Sequence, residues 1–104
     1  MNKQLKAKWV QALRSGKYKQ GQEHLRGIDN TFCCLGVLCD IQRRRWFRSG
    51  TYYGVRTGGN LDIGGEQDDR LLQSVGYYHL STLIEMNDTG ESFEAIADYI
   101  ETNL

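Results

Sequence analysis

Phe32-Cys33-Cys34-Leu35-Gly36-Val37-Leu38-Cys39-Asp40-Ile41 is the one long stretch of this chain with almost no polar side chain, and its conformation decides the fold. Periodicity alone does not separate a buried strand from a buried helix in such a run, so the flanks must. Asp29, Asn30 and Thr31 offer side-chain oxygens to cap a helix starting just after them. Gln42 to Arg45 suit a last turn, where cations meet the negative end of the helix dipole. The expectation is a core helix over 32–44. Gly36 costs such a helix about 1 kcal/mol relative to alanine, so another backbone is expected to pack closely against it.

Cys33, Cys34 and Cys39 are the only thiols. An odd number without a secretory signal fits free thiols, and cysteine among Leu and Val packs as a small hydrophobe. Zinc needs ligand pairs two to four residues apart and a second pair elsewhere, which adjacent Cys33-Cys34 with the separate His24 and His79 do not supply. No metal or cofactor is expected. A third reading is a cysteine hydrolase, with Cys33 or Cys34 as nucleophile, His79 as base and Asp88 or Asn87 orienting it; chain order alone supports it.

At 104 residues the chain is expected to form one domain, 1–104, and its 39% hydrophobic and 25% charged content fits an ordinary soluble protein. No segment approaches the roughly 20 apolar residues that span a bilayer, so no membrane is implied. The basic start, Met1 to Lys6, is not followed by an apolar signal region, and the expected location is cytoplasmic. Net charge is zero but lopsided: residues 1–56 carry a surplus of nine positive charges and residues 57–104 a surplus of nine negative. The two halves can neutralise each other within one fold, pair between subunits, or face separate partners.

Leu5, Trp9 and Leu13 recur at spacing four with lysines opposite, which predicts a first helix over 2–14 that ends at Ser15-Gly16. Lys17-Tyr18-Lys19-Gln20-Gly21 then forms a basic, aromatic loop. Arg14, Lys17, Tyr18, Gln20 and Arg26, joined by Arg56, are the candidate ligand-binding residues, cations meeting phosphate and Tyr18 lying on a base. The competing reading is a solvated loop whose tyrosine covers the core.

Trp9-x-x-Ala12-Leu13-Arg14-Ser15-Gly16-x-Tyr18-x-Gln20-Gly21, Leu25-Arg26, the Phe32–Asp40 run and Leu83-x-x-x-Asn87-Asp88-x-Gly90-x-Ser92-Phe93-x-x-Ile96-Ala97 resemble a largely uncharacterised family of small tailed-bacteriophage proteins. The likeness covers both ends of the chain, and nothing in residues 43–78 adds to it. It implies no catalytic residue. It does imply a device that blunts host immunity from the host cytoplasm, by occupying a host protein or sequestering a nucleotide signal.

Arg43-Arg44-Arg45-Trp46-Phe47-Arg48 and Thr51-Tyr52-Tyr53-Gly54-Val55-Arg56 read as two strands around a Ser49-Gly50 turn, with alternating arginines leaving one face basic. That mixture resembles a nucleic-acid surface, yet a net charge of zero argues against sequence-independent binding to a phosphate backbone. Thr57 to Glu66 holds two Gly-Gly pairs and lacks the lysine and hydroxyl of a phosphate loop; an ordinary connection and a ligand-covering flap both remain open. Asp62, Glu66, Asp68 and Asp69 depart from calcium-loop spacing. Downstream, Leu80, Leu83 and Ile84 mark a helix over 79–86, and Ser92 caps a last helix, 92–103, striped by Phe93, Ile96, Ile100 and Leu104. This acidic pair resembles the opening of a helix-turn-helix module, but its charge would repel phosphates.

The fold class expected is α+β, about four helices packed with a short antiparallel sheet drawn from 46–56 and 60–78. The function expected is non-enzymatic: binding a small nucleotide-like anion to counter a host defence. Its alternatives are inhibition of a host protein through the acidic C-terminal helices and the cysteine hydrolase. The charge division and the aromatics Trp46, Phe47, Tyr52, Tyr53, Tyr77 and Tyr78 also lead to the expectation of a dimer.

Overall fold

A computed structural model describes residues 1–66 and 68–104. In chain order the elements are α1 (Lys3–Arg14), β1 (Lys19–Gln20), β2 (Arg26–Gly27), β3 (Thr31–Phe32), α2 (Cys34–Ile41), β4 (Phe47–Ser49), β5 (Tyr52–Thr57), β6 (Asn60–Asp62), α3 (Asp69–Val75), α4 (Tyr77–Asp88) and α5 (Phe93–Asn103). The class is α+β. Strands run in the order β1-β3-β2-β5-β4, with β6 also on β5; β1 and β3 are parallel and the other pairs antiparallel.

The apolar run is indeed the buried helix, shorter than expected at both ends. Thr31–Phe32 is a strand, and Cys33 is the N-cap, its Sγ accepting the Gly36 N–H at 3.4 Å. The residues expected to cap this helix build the preceding turn instead: Asp29 Oδ1 accepts from the Thr31 hydroxyl at 2.8 Å, and Asn30 takes a left-handed φ of 62°. At the far end Arg43 has φ 58°, and the N–H groups of Arg43 and Arg44 return to the carbonyls of Asp40 and Cys39. That is a Schellman termination with arginine in the position glycine usually takes. Gly36 answers its expectation, because a methyl group there would overlap the carbonyl oxygen of Leu25.

The core gathers around α2: Leu35, Val37, Leu38 and Cys39 are fully buried with Trp9, Leu25, Val55, Leu71, Leu83, Ile96 and Ile100. Trp9 donates its indole N–H to Cys34 O at 2.9 Å, which satisfies the polar atom that its burial would strand. Asn87, also buried, accepts the Cys34 N–H at 3.1 Å and donates to Gly21 O at 2.8 Å, so α4 is tied to α2 and to the end of β1.

Two expectations are corrected. Segment 68–78 is not sheet: Asp68 accepts the Leu71 N–H as N-cap of α3, which buries Leu71 and Val75, and Gly76 at φ 88° starts α4 directly. With α3 the described residues form five helices, and α4 begins two residues earlier and ends two later than 79–86. The sheet extends instead into 19–32, where three two-residue strands hold too few positions for alternation to register. The turn between α4 and α5 is confined to Thr89 and Gly90, the N–H groups of Gly90 and Glu91 returning to the carbonyls of Asn87 and Met86. Among the described residues, no helix is long and apolar enough to cross a membrane.

Candidate functional site

Register places Gln20, Phe32, Arg26, Tyr53 and Arg48 in one row across β1, β3, β2, β5 and β4. Directly paired residues share a face of the sheet, so this row alternates amide, aromatic, cation, aromatic, cation. Arg26 sits at its centre. Its guanidinium carbon lies 4.6 Å from the Tyr53 ring centroid, 5.2 Å from Phe32 and 5.6 Å from Trp46. Its Nη2 donates to Asn30 Oδ1 at 2.7 Å, and its buried Nε–H has no hydrogen-bond partner among the described residues. No carboxylate among the described residues pairs with Arg26 or Arg48.

The cage is held from behind. Asp40 accepts from the Trp46 indole N–H at 3.0 Å and from the Tyr18 hydroxyl at 2.7 Å, while the Tyr18 ring meets Phe32 edge-on at 5.0 Å. Burial first, then the Asp40 carboxylate, push the Tyr18 phenol up to about 12, so it remains a donor across the physiological range. A guanidinium fixed among three rings loses little side-chain freedom when it meets an anion, and its planar fork matches a phosphate or carboxylate.

Three of the six candidate residues therefore converge around Phe32: Arg26 as the cation, Tyr18 as a wall support and Gln20 at the inner end of the row. Gln20 is committed inward, its Nε2 donating to Asn87 Oδ1 at 3.1 Å and to Glu91 O at 2.7 Å. The other three lie elsewhere. Arg14 is clamped by Glu94, Asp98 and Glu101 of α5, its hydrogen bonds to Glu101 and then to Asp98 raising its pKa further. Lys17 and Tyr18 line a shallow groove of about 380 Å³ beside Lys8 and Ile41. Arg56 projects from the opposite face of β5 to Tyr53 and lies 4.8 Å from the Phe47 ring. Trp46, Tyr53 and Arg48 complete the cage and row; the alternation in 46–56 signalled them, but Arg26 joins only through strand pairing.

The thiols are interior. Cys33 is raised to about 11 and Cys39 to about 12, Cys34 well above the usual range, in each case first by burial. Cys34 Sγ lies 3.7 Å from Leu83 O, whereas His79 Nδ1 is 2.8 Å from the Tyr99 hydroxyl. A water-sized pocket of about 20 Å³ brings Cys33 and Cys34 together with Glu23, Glu66, Asn87 and Asp88, and His79 is not among its lining residues. Asp88 Oδ1 there accepts the Glu23 N–H at 2.9 Å. Among the described residues no group of three or more His, Cys, Asp or Glu could hold a metal ion.

Arg44, the middle of the triple arginine, is buried against Asp68 as a two-pronged pair, both contacts at 2.7 Å, and its Nη2 also donates to Arg56 O. Burial opposes ionisation of both groups, but the mutual hydrogen bonds more than offset it, so Asp68 is held below and Arg44 above the ordinary value.

Fold and site together define a small α+β protein with an aromatic-caged, unneutralised arginine on its sheet. The chain belongs to the family described as "Domain of unknown function (DUF8296)", which matches residues 1–56 and so spans α1 to β5, including every residue of the cage. No curated protein and no solved structure matches it.

Proposed function

We propose that this protein acts by binding rather than catalysis, sequestering a small nucleotide-type anion at the Arg26 row. In the tailed-phage setting that the sequence resemblance implies, that ligand is a host defence signal met in the host cytoplasm. The observation that carries the reading is the Arg26 cage: a half-buried guanidinium, pre-positioned by Phe32, Trp46 and Tyr53, with no carboxylate partner among the described residues. Arg48, exposed at the outer end of the row, supplies a second cation. The hydrolase alternative draws no support from thiols buried and held neutral. Inhibition of a host protein by acidic helices is weakened where Arg14 already engages Glu94, Asp98 and Glu101.

Thermal shift against a panel of linear and cyclic nucleotides tests the proposal. A ligand at a hundredfold excess over Kd stabilises by about 2.7 kcal/mol. Arg48→Ala, at an exposed edge position, should weaken the shift, and Arg26→Lys should weaken it more by losing the planar fork. No shift with any nucleotide, or a shift that both variants keep intact, would sink the proposal.

A further inference from the structure

The β4–β5 hairpin carries a second cationic surface on its other face. From Ile41 to Leu61 the chain has no acidic residue and five arginines. Arg44 is consumed by Asp68, which leaves Arg43, Arg45, Arg48 and Arg56, all exposed and none ion-paired among the described residues. Arg45 and Arg56 both lie against Phe47, at 5.1 Å and 4.8 Å from its ring centroid. Phe47 pairs with Gly54, so Arg45, Phe47, Gly54 and Arg56 share the face opposite the Arg26 row. Of the acids that follow the hairpin, Asp62 and Asp68 are buried, Asp62 accepting the Gly64 and Gly65 N–H groups and Asp68 holding Arg44.

Zero net charge argues against polyanion binding only if charge is spread evenly, and along this chain it is not. β4 is also the terminal strand of the sheet, paired with β5 alone. We propose that this hairpin and its lead-in from Arg43 bind single-stranded nucleic acid, their four exposed arginines meeting the phosphates and the Arg45–Phe47–Arg56 layer stacking on bases. Stacking selects a single strand over a duplex, whose bases are occupied with one another. Of the surface's four arginines only Arg48 belongs to the Arg26 row; Arg45, Phe47 and Arg56 lie on the opposite face, so the stacking layer does not depend on a nucleotide binding at that row.

The test is fluorescence anisotropy of a labelled mixed-sequence single strand titrated with the full chain at several salt concentrations. Four phosphate contacts on a single strand predict a slope of about −3 in log K against log salt, a loss of about fifty-fold between about 50 and about 200 mM. Arg45→Ala with Arg56→Ala should halve that slope while the thermal unfolding profile is kept, whereas Lys3→Ala with Lys8→Ala on α1 should leave affinity unchanged. A duplex of the same sequence should compete about ten-fold less well, the difference one stacked base contributes. Absence of binding at low salt, an equal loss in the α1 variant, equal competition by duplex, or equal competition by polyglutamate would each overturn the proposal. The Arg26→Lys variant keeps all four hairpin arginines, so failure here is separable from failure of nucleotide binding.

Discussion

Gly36 is the position at which the fold leaves least room, and its role was legible in the sequence. Glycine in an apolar helix had to have a neighbour close enough to forbid a side chain, and the neighbour is the Leu25 carbonyl. Gly36→Ala should therefore destabilise by about 1–3 kcal/mol despite the better helix propensity of alanine. Urea unfolding measures it, and a stabilised variant would mean that Leu25 does not press on α2. Arg44 was illegible for the opposite reason. Three arginines in a row are alike as a sequence, and which one enters the core depends on the chain reversal at Arg43, whose φ of 58° no residue preference announces.

Among the elements, the long helices were readable and the short pieces were not. α1 and α5 announce themselves by apolar spacing, and α5 also by its cap at Ser92; the Asn2 cap of α1 emerges only in the structure. α3 has seven residues, and its Asp68 cap sits among other acids that read equally well as a solvated loop. What anchors α3 is the buried Arg44–Asp68 pair. Arg44→Met leaves Asp68 buried without its cation and should cost about 3–5 kcal/mol, the usual penalty for stripping one partner from a buried pair. The pH dependence has a defined sign. Asp68 has a depressed folded pKa, so its contribution is fully present above the unfolded value near 3.9 and is lost as pH falls through the folded value. Acid unfolding of Asp68→Asn should lack that component; profiles of the same shape would contradict the assignment. The candidate site was half legible: Arg26, Tyr18 and Gln20 were picked by chemistry, but the cage around Arg26 comes from strands two residues long, invisible to any periodicity.

At the scale of the whole molecule, the opposed charge of the two halves meets inside the chain at two cations, Arg14 and Arg44. All four ion pairs among the described residues join a cation from residues 1–56 to an acid from 57–104: Arg14 to Glu94, Asp98 and Glu101, and Arg44 to Asp68. The dimer proposed from charge and aromatic surface then rests on Tyr77 and Tyr78, 79% and 74% exposed at the start of α4. Sedimentation equilibrium should find an association indifferent to salt and abolished by Tyr77→Ser with Tyr78→Ser. One species of 11.9 kDa at every concentration would rule it out.

Sequestration of a nucleotide-type anion at Arg26 is the central claim, and the most direct measurement is what the folded protein carries out of a cell extract. The protein is incubated with a nucleotide-containing extract, freed of unbound small molecules by gel filtration and heat-denatured, and the released molecules are identified by mass spectrometry. The prediction is a phosphate-bearing nucleotide in the filtrate of the wild type, strongly reduced for Arg26→Lys and for Arg48→Ala. Filtrates of the wild type and both variants that are indistinguishable, or a wild-type filtrate with no phosphate-bearing molecule, would contradict it.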